Sequence, residues 1–252
     1  MAPRILLTND DSIHSTGFGV LERIARTLSD DIWVCAPETE QSATSHSLTI
    51  HRPLRLRQIA EQRYTADGTP TDCVLLAVNH ILKDNRPDLV LSGVNHGRNI
   101  AEDVTYSGTI AAAMEAALLG IRAVALSQEF PADGPPVWAT AEHWGPEAVR
   151  KAISVDWPPG VMVNINFPAR QPDSVKGFAV VRHGNNKIGD ELMERIDPRG
   201  RAYYWVGTMR NDENTPHDTD THALKQGLIP VTPLYLDLTH HPSIATLTQA
   251  FP

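Results

Sequence analysis

The chain reads as an α/β protein: a Rossmann-like, doubly wound, mostly parallel sheet with an appended β-rich C-terminal segment. Three observations predict it. Short apolar runs alternate with segments of helical period, the pattern of βαβ units. Several of these runs end in polar loops rich in oxygen donors, as expected where a parallel sheet presents its carboxyl ends. After about residue 177 the texture changes to turn-rich polar segments with short strands. Residues 1–168 are therefore expected to form the core and 169–252 an extension that serves oligomerisation, within one domain overall.

The first strand is "RILLT", residues 4–8, followed by a helix over 17–29 in which Phe18, Leu21, Ile24, Ala25 and Leu28 share one face. "IWVCA" is the second strand, closed by Pro37. The alternation in "SLTIHRPLRLRQI" and "RYTADG" predicts an exposed antiparallel excursion. "GTPTDCVLLAVNHILKD" reads as a turn, a cap at Thr71 and a helix to about residue 84. "DLVLSG" is a third buried strand. "TIAAAMEAALLG" is a helix of strong formers that stops at Gly120, and "RAVALS" is the fourth strand. Beyond the loop "FPADGPPVW" come a helix over 141–154 and the strand "VMVNINFP". "RAYYWVG" is a later strand, "NDENTPHDTDTH" a solvated loop, and "GLIPVTPLYLDLT" a pair of strands broken at Pro230 and Pro233.

Composition narrows the function. With 41% hydrophobic and 21% charged residues the chain matches soluble globular proteins. A formal charge of -8 with no Lys/Arg-rich run argues against a nucleic-acid polymer as partner. It permits an anionic substrate, because a bound divalent cation reverses the local field. No apolar segment reaches the ~18 residues that span a bilayer, and no secretory signal opens the chain, so no membrane and a cytoplasmic location are expected. Cys35 and Cys73 lie in apolar surroundings without CxxC spacing and read as buried reduced thiols.

The chemistry sits after the strands. Asn9, Asp10, Asp11 and Ser12 follow the first strand, Glu38, Gln41, Ser42 and Ser45 the second, and Asn95, His96 and Asn99 the third, with Arg98 as the one cation. Two adjacent acids at the end of a buried strand repel each other unless something positive is held there. The oxygen-rich set suits a hard cation such as Mg²⁺ or Mn²⁺, which takes one or two carboxylates, neutral oxygens and waters. The alternative is one Asp capping the next turn and the other solvated. Ser107, Gly108 and Thr109 stand at the entrance of the Ala-rich helix, where backbone N–H groups and the helix dipole favour an anion and Gly108 permits close approach. Simple N-capping would use the same residues. A cation facing such an anion site would polarise a phosphoryl oxygen and lower the pKa of a water, which points to phosphoester hydrolysis. No HExxH spacing supports a zinc protease, and His96 reads equally as a substrate contact or a hydrogen-bonded loop histidine.

"ILLTNDD", "VCAPETEQSATSHSLTI", "GTPTDCV", "SGVNHGRN", "YSGT", "VNINFP" and "TPLYLDLT" together resemble the stationary-phase survival protein SurE family of metal-dependent 5′/3′-nucleotidases, in order from Ile5 to Thr239. The resemblance implies divalent-metal ligands at Asp10, Asp11, Ser42 and Asn95, one ion per subunit. It places the phosphate contacts on Ser107, Gly108 and Thr109, with Asn99 as a further candidate. The reaction it implies is hydrolysis of nucleoside monophosphates, with 3′-nucleotides or short polyphosphate accepted by some members. It also implies homodimers or homotetramers that exchange the late β segment. On this reading Asp10, Asp11 and Asn95 carry catalysis. Ser12 and Ala43 stand where the family usually has Gly, a change that costs energy only at positive φ.

Other classes fit less well. An aspartyl-phosphate phosphatase would space its acids DxD, and these are adjacent. A receiver-like module would need an acid after the third strand, where "SGVNHG" stands. A broader phosphatase or a passive nucleotide-binding module stays open to assay.

Overall fold

A computed structural model describes residues 2–131, 133–135, 137–185, 187–188, 192–206, 210–211 and 215–251. The elements in chain order begin with β1 (Ile5–Thr8), α1 (Thr16–Arg26) and β2 (Ile32–Pro37). The hairpin β3 (Leu56–Ala60) and β4 (Arg63–Ala66) follows, then α2 (Pro70–Leu76), β5 (Leu89–His96), α3 (Gly108–Leu118) and β6 (Arg122–Gln128). Next come α4 (Trp138–Ile153), β7 (Val161–Phe167), β8 (Phe178–Val180) and β9 (Lys187–Ile188). The chain continues through β10 (Leu192–Ile196), β11 (Ala202–Val206), β12 (Arg210–Asn211), α5 (Asp220–Lys225), β13 (Ile229–Tyr235) and α6 (His241–Ala250). Among these, none is a helix long and apolar enough to cross a membrane.

The main sheet runs β3-β4-β2-β1-β5-β6-β7-β13-β8; β4, β2, β1, β5, β6 and β7 are parallel to one another, and β13 is antiparallel to β7. Alternation along β1 shows why both faces are covered. Ile5 and Leu7 enter the core beneath α1 and α4, while Leu6 enters the core beneath α2 and α3. The fold is therefore the doubly wound α/β arrangement expected. Strand order reverses between β1 and β5, which opens a crevice beyond their carboxyl ends.

Four local expectations are corrected. The cap of α2 is Thr69, not Thr71: Pro70 takes the first helical position and Thr69 and Asp72 form a reciprocal capping box. The α-helix ends at Leu76 and continues as a wide turn over Ala77–Ile81, closed by Leu82 N–H on the Ala77 carbonyl at 2.8 Å. β5 does not stop at Gly93 but runs to His96, with a register shift against β6 between Ser92 and Asn95. β13 runs unbroken through both prolines. Ile229 and Val231 hydrogen-bond on the β8 side, so Pro233, in the same phase, would aim its missing N–H past the last residue of β8.

The sheet crosses the division expected at 168/169, since β13 and β8 extend it beyond β7. Among the described residues of the extension, α5 packs against β13, while the β10–β11 hairpin, the short β9–β12 pair and α6 stand apart from the main sheet. Part of "NDENTPHDTDTH", residues 212–214, lies outside the described residues. Residues 215–218 form the largely exposed turn expected, but the end of the run does not: Thr219 caps α5 and Asp220 is fully buried.

Gly93 is where the sheet bends toward the crevice. Its φ is +132°, and a Cβ there would meet the Leu126 carbonyl oxygen at 2.2 Å. Strain and overlap together should make Gly93→Ala cost about 3 kcal/mol or more. Urea unfolding of the variant should show a lower midpoint with an unchanged slope; a wild-type midpoint would contradict this reading of the bend.

Candidate active site

The crevice is built from three strand tips and one helix start. Asn9, the residue after β1, is fully buried, and its amide donates to the Ser12 carbonyl at 2.7 Å and the Ser15 hydroxyl at 3.1 Å. That ties the Asp10–Asp11 turn to the cap of α1. The loop after β2 is fastened down in turn: Gln41 N–H donates to the Asp10 carbonyl at 2.8 Å, and Ser45 bonds the Tyr106 and Thr105 carbonyls. The His46 ring meets the largely buried Glu115 carboxylate at 2.9 Å. Ser42 is thereby held on the rim of the cleft that Asp10 lines, its hydroxyl donating to Glu40 at 2.8 Å.

Asp10 meets the start of α3. Its Oδ1 accepts from the Thr109 hydroxyl at 2.5 Å, and the same hydroxyl lies 3.1 Å from Asn95 Oδ1. A hydroxyl has one hydrogen, so it serves Asp10 or Asn95 but not both at once. Two oxygens from adjacent strands thus converge with one donor between them. Gly108 makes this approach possible, because a Cβ there would lie 2.8 Å from Asp10 Cβ. The crowding atom is Asp10 itself, so Gly108 is explained without any phosphate. Ser107 caps α3 by accepting from Ile110 N–H at 3.1 Å.

Electrostatics repeat the demand for a cation. Asp10 is 4% exposed. Burial, opposed by the Thr109 hydrogen bond and assisted by neighbouring Asp11, raises its pKa from 3.8 to about 6. Burial also raises Asp11, opposed by the His96 N–H, which donates to Oδ2 at 2.8 Å, and by the His96 ring. Among the described residues neither carboxylate is bridged by Lys or Arg. Nor do three His, Cys, Asp or Glu side chains converge there. Two carboxylates with hydroxyl and amide oxygens fit Mg²⁺ or Mn²⁺ and do not fit a zinc cage.

Of the expected residues, Asp10, Ser42, Asn95, Asn99 and Ser107 line one cleft of about 280 Å³. Asp11 lines an adjoining cleft of about 360 Å³ with Ser15, Thr16, Glu40 and Trp138, and His96 borders both. Thr109 is fully buried and faces Asp10 and Asn95 rather than the cleft. The first cleft also has walls that sequence reasoning left unassigned: Arg98, Asp103 and Tyr106. Arg98 pairs with Glu129 at 3.2 Å. The available signal was that Arg98 is the sole cation of the strand-tip loops.

A family model described as "Survival protein SurE" matches residues 5–190. The chain belongs to the SurE family. It is 56% identical over 248 residues to a protein of Paramagnetospirillum magneticum named 5′-nucleotidase SurE, covering 98% of this chain and 95% of that one. A Rhodospirillum rubrum protein of the same name is 51% identical over 252 residues, covering 98% and 96%. The crystal structure of the SurE protein from Aquifex aeolicus superposes with a TM-score of 0.87 at 35% identity, covering 99% of this chain and all of that one. Ser12 and Ala43, the two positions where the resemblance leads one to expect glycine, both occupy left-handed backbone, at φ 80° and φ 59°. Each stores on the order of 1 kcal/mol at the edge of the site.

The raised Asp10 pKa fixes a sign. A carboxylate bound more tightly to its proton when folded gives stability below its unfolded pKa of 3.8 and loses it as pH rises through about 6. In chelator, Asp10→Asn should therefore be more stable than wild type at pH 8, by roughly 3 kcal/mol, and nearly equal at pH 4. Urea midpoints at the two pH values measure this; equal stabilities at pH 8 would refute the buried-charge account.

Proposed function

We propose that this chain, a 5′-nucleotidase of the SurE family, hydrolyses nucleoside 5′-monophosphates, and 3′-monophosphates as well, in the cleft between β1 and β5. One Mg²⁺ or Mn²⁺ per subunit would be held by Asp10, Asp11, Asn95 and, after its hydroxyl turns from Glu40, Ser42. The observation that carries this reading is the shared Thr109 hydroxyl, which draws Asp10 Oδ1 and Asn95 Oδ1 together yet can satisfy only one of them. When bound, the cation polarises the phosphoryl oxygens and acidifies water.

The side chains divide the remaining work. Asp10 is pinned by Thr109 and buried, so it serves as a fixed ligand. Asp11 is less buried and commits Oδ2 to His96 N–H, which leaves Oδ1 to orient the attacking water and take its proton. Asn99 and Ser107 line the phosphate side of the cleft with Arg98, placed to meet charge as it builds on the phosphoryl oxygens. Thr109 acts from behind, on Asp10 and Asn95, and Gly108 serves by its lack of a side chain. Two free buried cysteines fit the reducing cytoplasm expected of the chain.

The test is phosphate release from a panel of 5′- and 3′-nucleotides, an aryl phosphate and short polyphosphate, with Mg²⁺, Mn²⁺ or chelator. Metal-stimulated release from nucleotides is expected. Asp10→Asn and Asp11→Asn should each lower kcat by a factor of about 10³ or more with the fold intact. Near-wild-type turnover in either variant would sink the scheme.

The outlying segments supply an assembly surface. Leu192, Ile196, Tyr204, Trp205 and Val206 are exposed on β10–β11, with Trp205 61% exposed, and no residue of α6 is buried. An apolar ribbon of this extent calls for a partner, and we assign a second copy of the chain, in a dimer or tetramer. Sedimentation should show an oligomer that Tyr204→Asp with Trp205→Asp dissociates; an unchanged sedimentation coefficient would remove these residues from the interface.

A further inference from the structure

We propose that Asp220 and His183, both from the stretch between β8 and β13, are positioning residues that hold the phosphate side of the cleft in shape. The proposal rests on the reading of Asn99 and Ser107 as phosphate contacts. Its centre is Ala101, a buried residue at φ 48°, a conformation that L side chains rarely adopt. Ala101 follows Asn99 by two residues and opens the 3₁₀ turn Ala101–Thr105 that leads to Ser107. Its backbone therefore sets the direction between the two candidate phosphate contacts.

Both polar groups of that residue are held by side chains from the distant segment. Ala101 N–H donates to Asp220 Oδ2 at 3.1 Å, and the His183 ring Nε2–H donates to the Ala101 carbonyl at 2.5 Å. Asp220 is itself fully buried and fully engaged. Its Oδ1 accepts from Gly184 N–H at 3.0 Å, Thr221 N–H at 2.7 Å and the Thr221 hydroxyl at 3.1 Å. The two halves of the clamp are joined by backbone bonds between Arg182 and Asp218 and between Asp220 and Arg182, both at 3.1 Å.

The other end of the loop is gripped by the core. Asn99 N–H donates to Asn166 Oδ1 at 2.7 Å, and its carbonyl accepts from Asn164 at 2.7 Å and Asn166 at 3.1 Å. The Asn99 amide donates to the Ser127 hydroxyl at 2.9 Å. Residues 99–101 are thus fixed from β6 and β7 at one end and from Asp220 and His183 at the other. Without the clamp, the buried Ala101 N–H loses the Asp220 acceptor, its carbonyl loses the His183 donor, and its left-handed conformation loses their support. Relaxation to negative φ would turn the chain away from the geometry that presents Asn99 and Ser107 together.

The deciding experiment compares Asp220→Asn, His183→Ala, His183→Gln and His183→Ala with Ala101→Gly, each in the full chain. Four quantities are read: KM for a nucleotide, the inhibition constant of inorganic phosphate, Mn²⁺ affinity by calorimetry, and hydrogen exchange over residues 97–107. Asp220→Asn and His183→Ala should raise KM and the phosphate constant about tenfold, with Mn²⁺ affinity within about twofold. His183→Gln keeps an N–H donor and should recover most of the loss. Ala101→Gly accepts the left-handed conformation unaided and should do likewise. Unchanged phosphate binding in His183→Ala, no recovery in either rescue, or phosphate and Mn²⁺ affinity falling in parallel would overturn the proposal. Should Asp220→Asn fail to fold, the His183 series decides alone. A wild-type chain that releases no phosphate from nucleotides would defeat the functional reading. In that event faster exchange over 97–107 in His183→Ala would still support the clamp, and unchanged exchange would remove it.

Discussion

A carboxylate kept almost dry between the end of β1 and the start of α3 is the constraint around which the rest is arranged. Asp10 is surrounded by protein, beside a second carboxylate, with only a threonine hydroxyl and peptide groups to stabilise its charge. In isolation that arrangement opposes folding, because burial favours the neutral acid. It persists because the positive end of α3 points at it, Gly108 lets the helix approach, and the adjacent oxygens can share a cation. Relief of that burial penalty is one contribution to the affinity such a site would have for a cation.

Supporting that site takes elements far apart in the chain. The bulge in β5 at Gly93 turns Asn95 and His96 toward β1, so that His96 N–H reaches Asp11 and Asn95 reaches Thr109. The loop after β2 is strapped to Asp10 and to the turn before α3. A buried asparagine cluster on β7 seats Asn99, and the chain beyond β7 returns to clamp Ala101. Left-handed Ser12, Ala43, Ser45 and Ala101 cluster around the crevice. Strain of this kind persists only where surrounding contacts over-determine the backbone, and each of these loops has such contacts.

Much of this was legible from residues alone. The alternation of apolar runs and helical periods carried the core of the fold, because strands buried on both faces leave a nearly continuous apolar signature. The Asp pair and the oxygen donors after three strands identified the crevice, since a doubly wound sheet brings its strand tips together. Boundaries were less legible. Gly93 read as a stop and is a bulge, and Pro230 and Pro233 read as breaks and lie within one strand, because both depend on which neighbour is present at that register. Asp220 sat within a polar run indistinguishable from a solvated loop until the fold brought Ala101 and Gly184 to its oxygens.

By itself the sequence determined the layer order of the core, the acidic pair at its leading strand, the oxygen chemistry of the site and the family. Those are local or periodic properties, written in neighbouring residues. Only the tertiary structure decided that Gly108 makes room for Asp10, that Thr109 meets Asp10 and Asn95 from behind, and that Asp220 and His183 bond a loop more than eighty residues earlier. Such roles are relations between atoms brought together by folding, and no spacing along the chain encodes them.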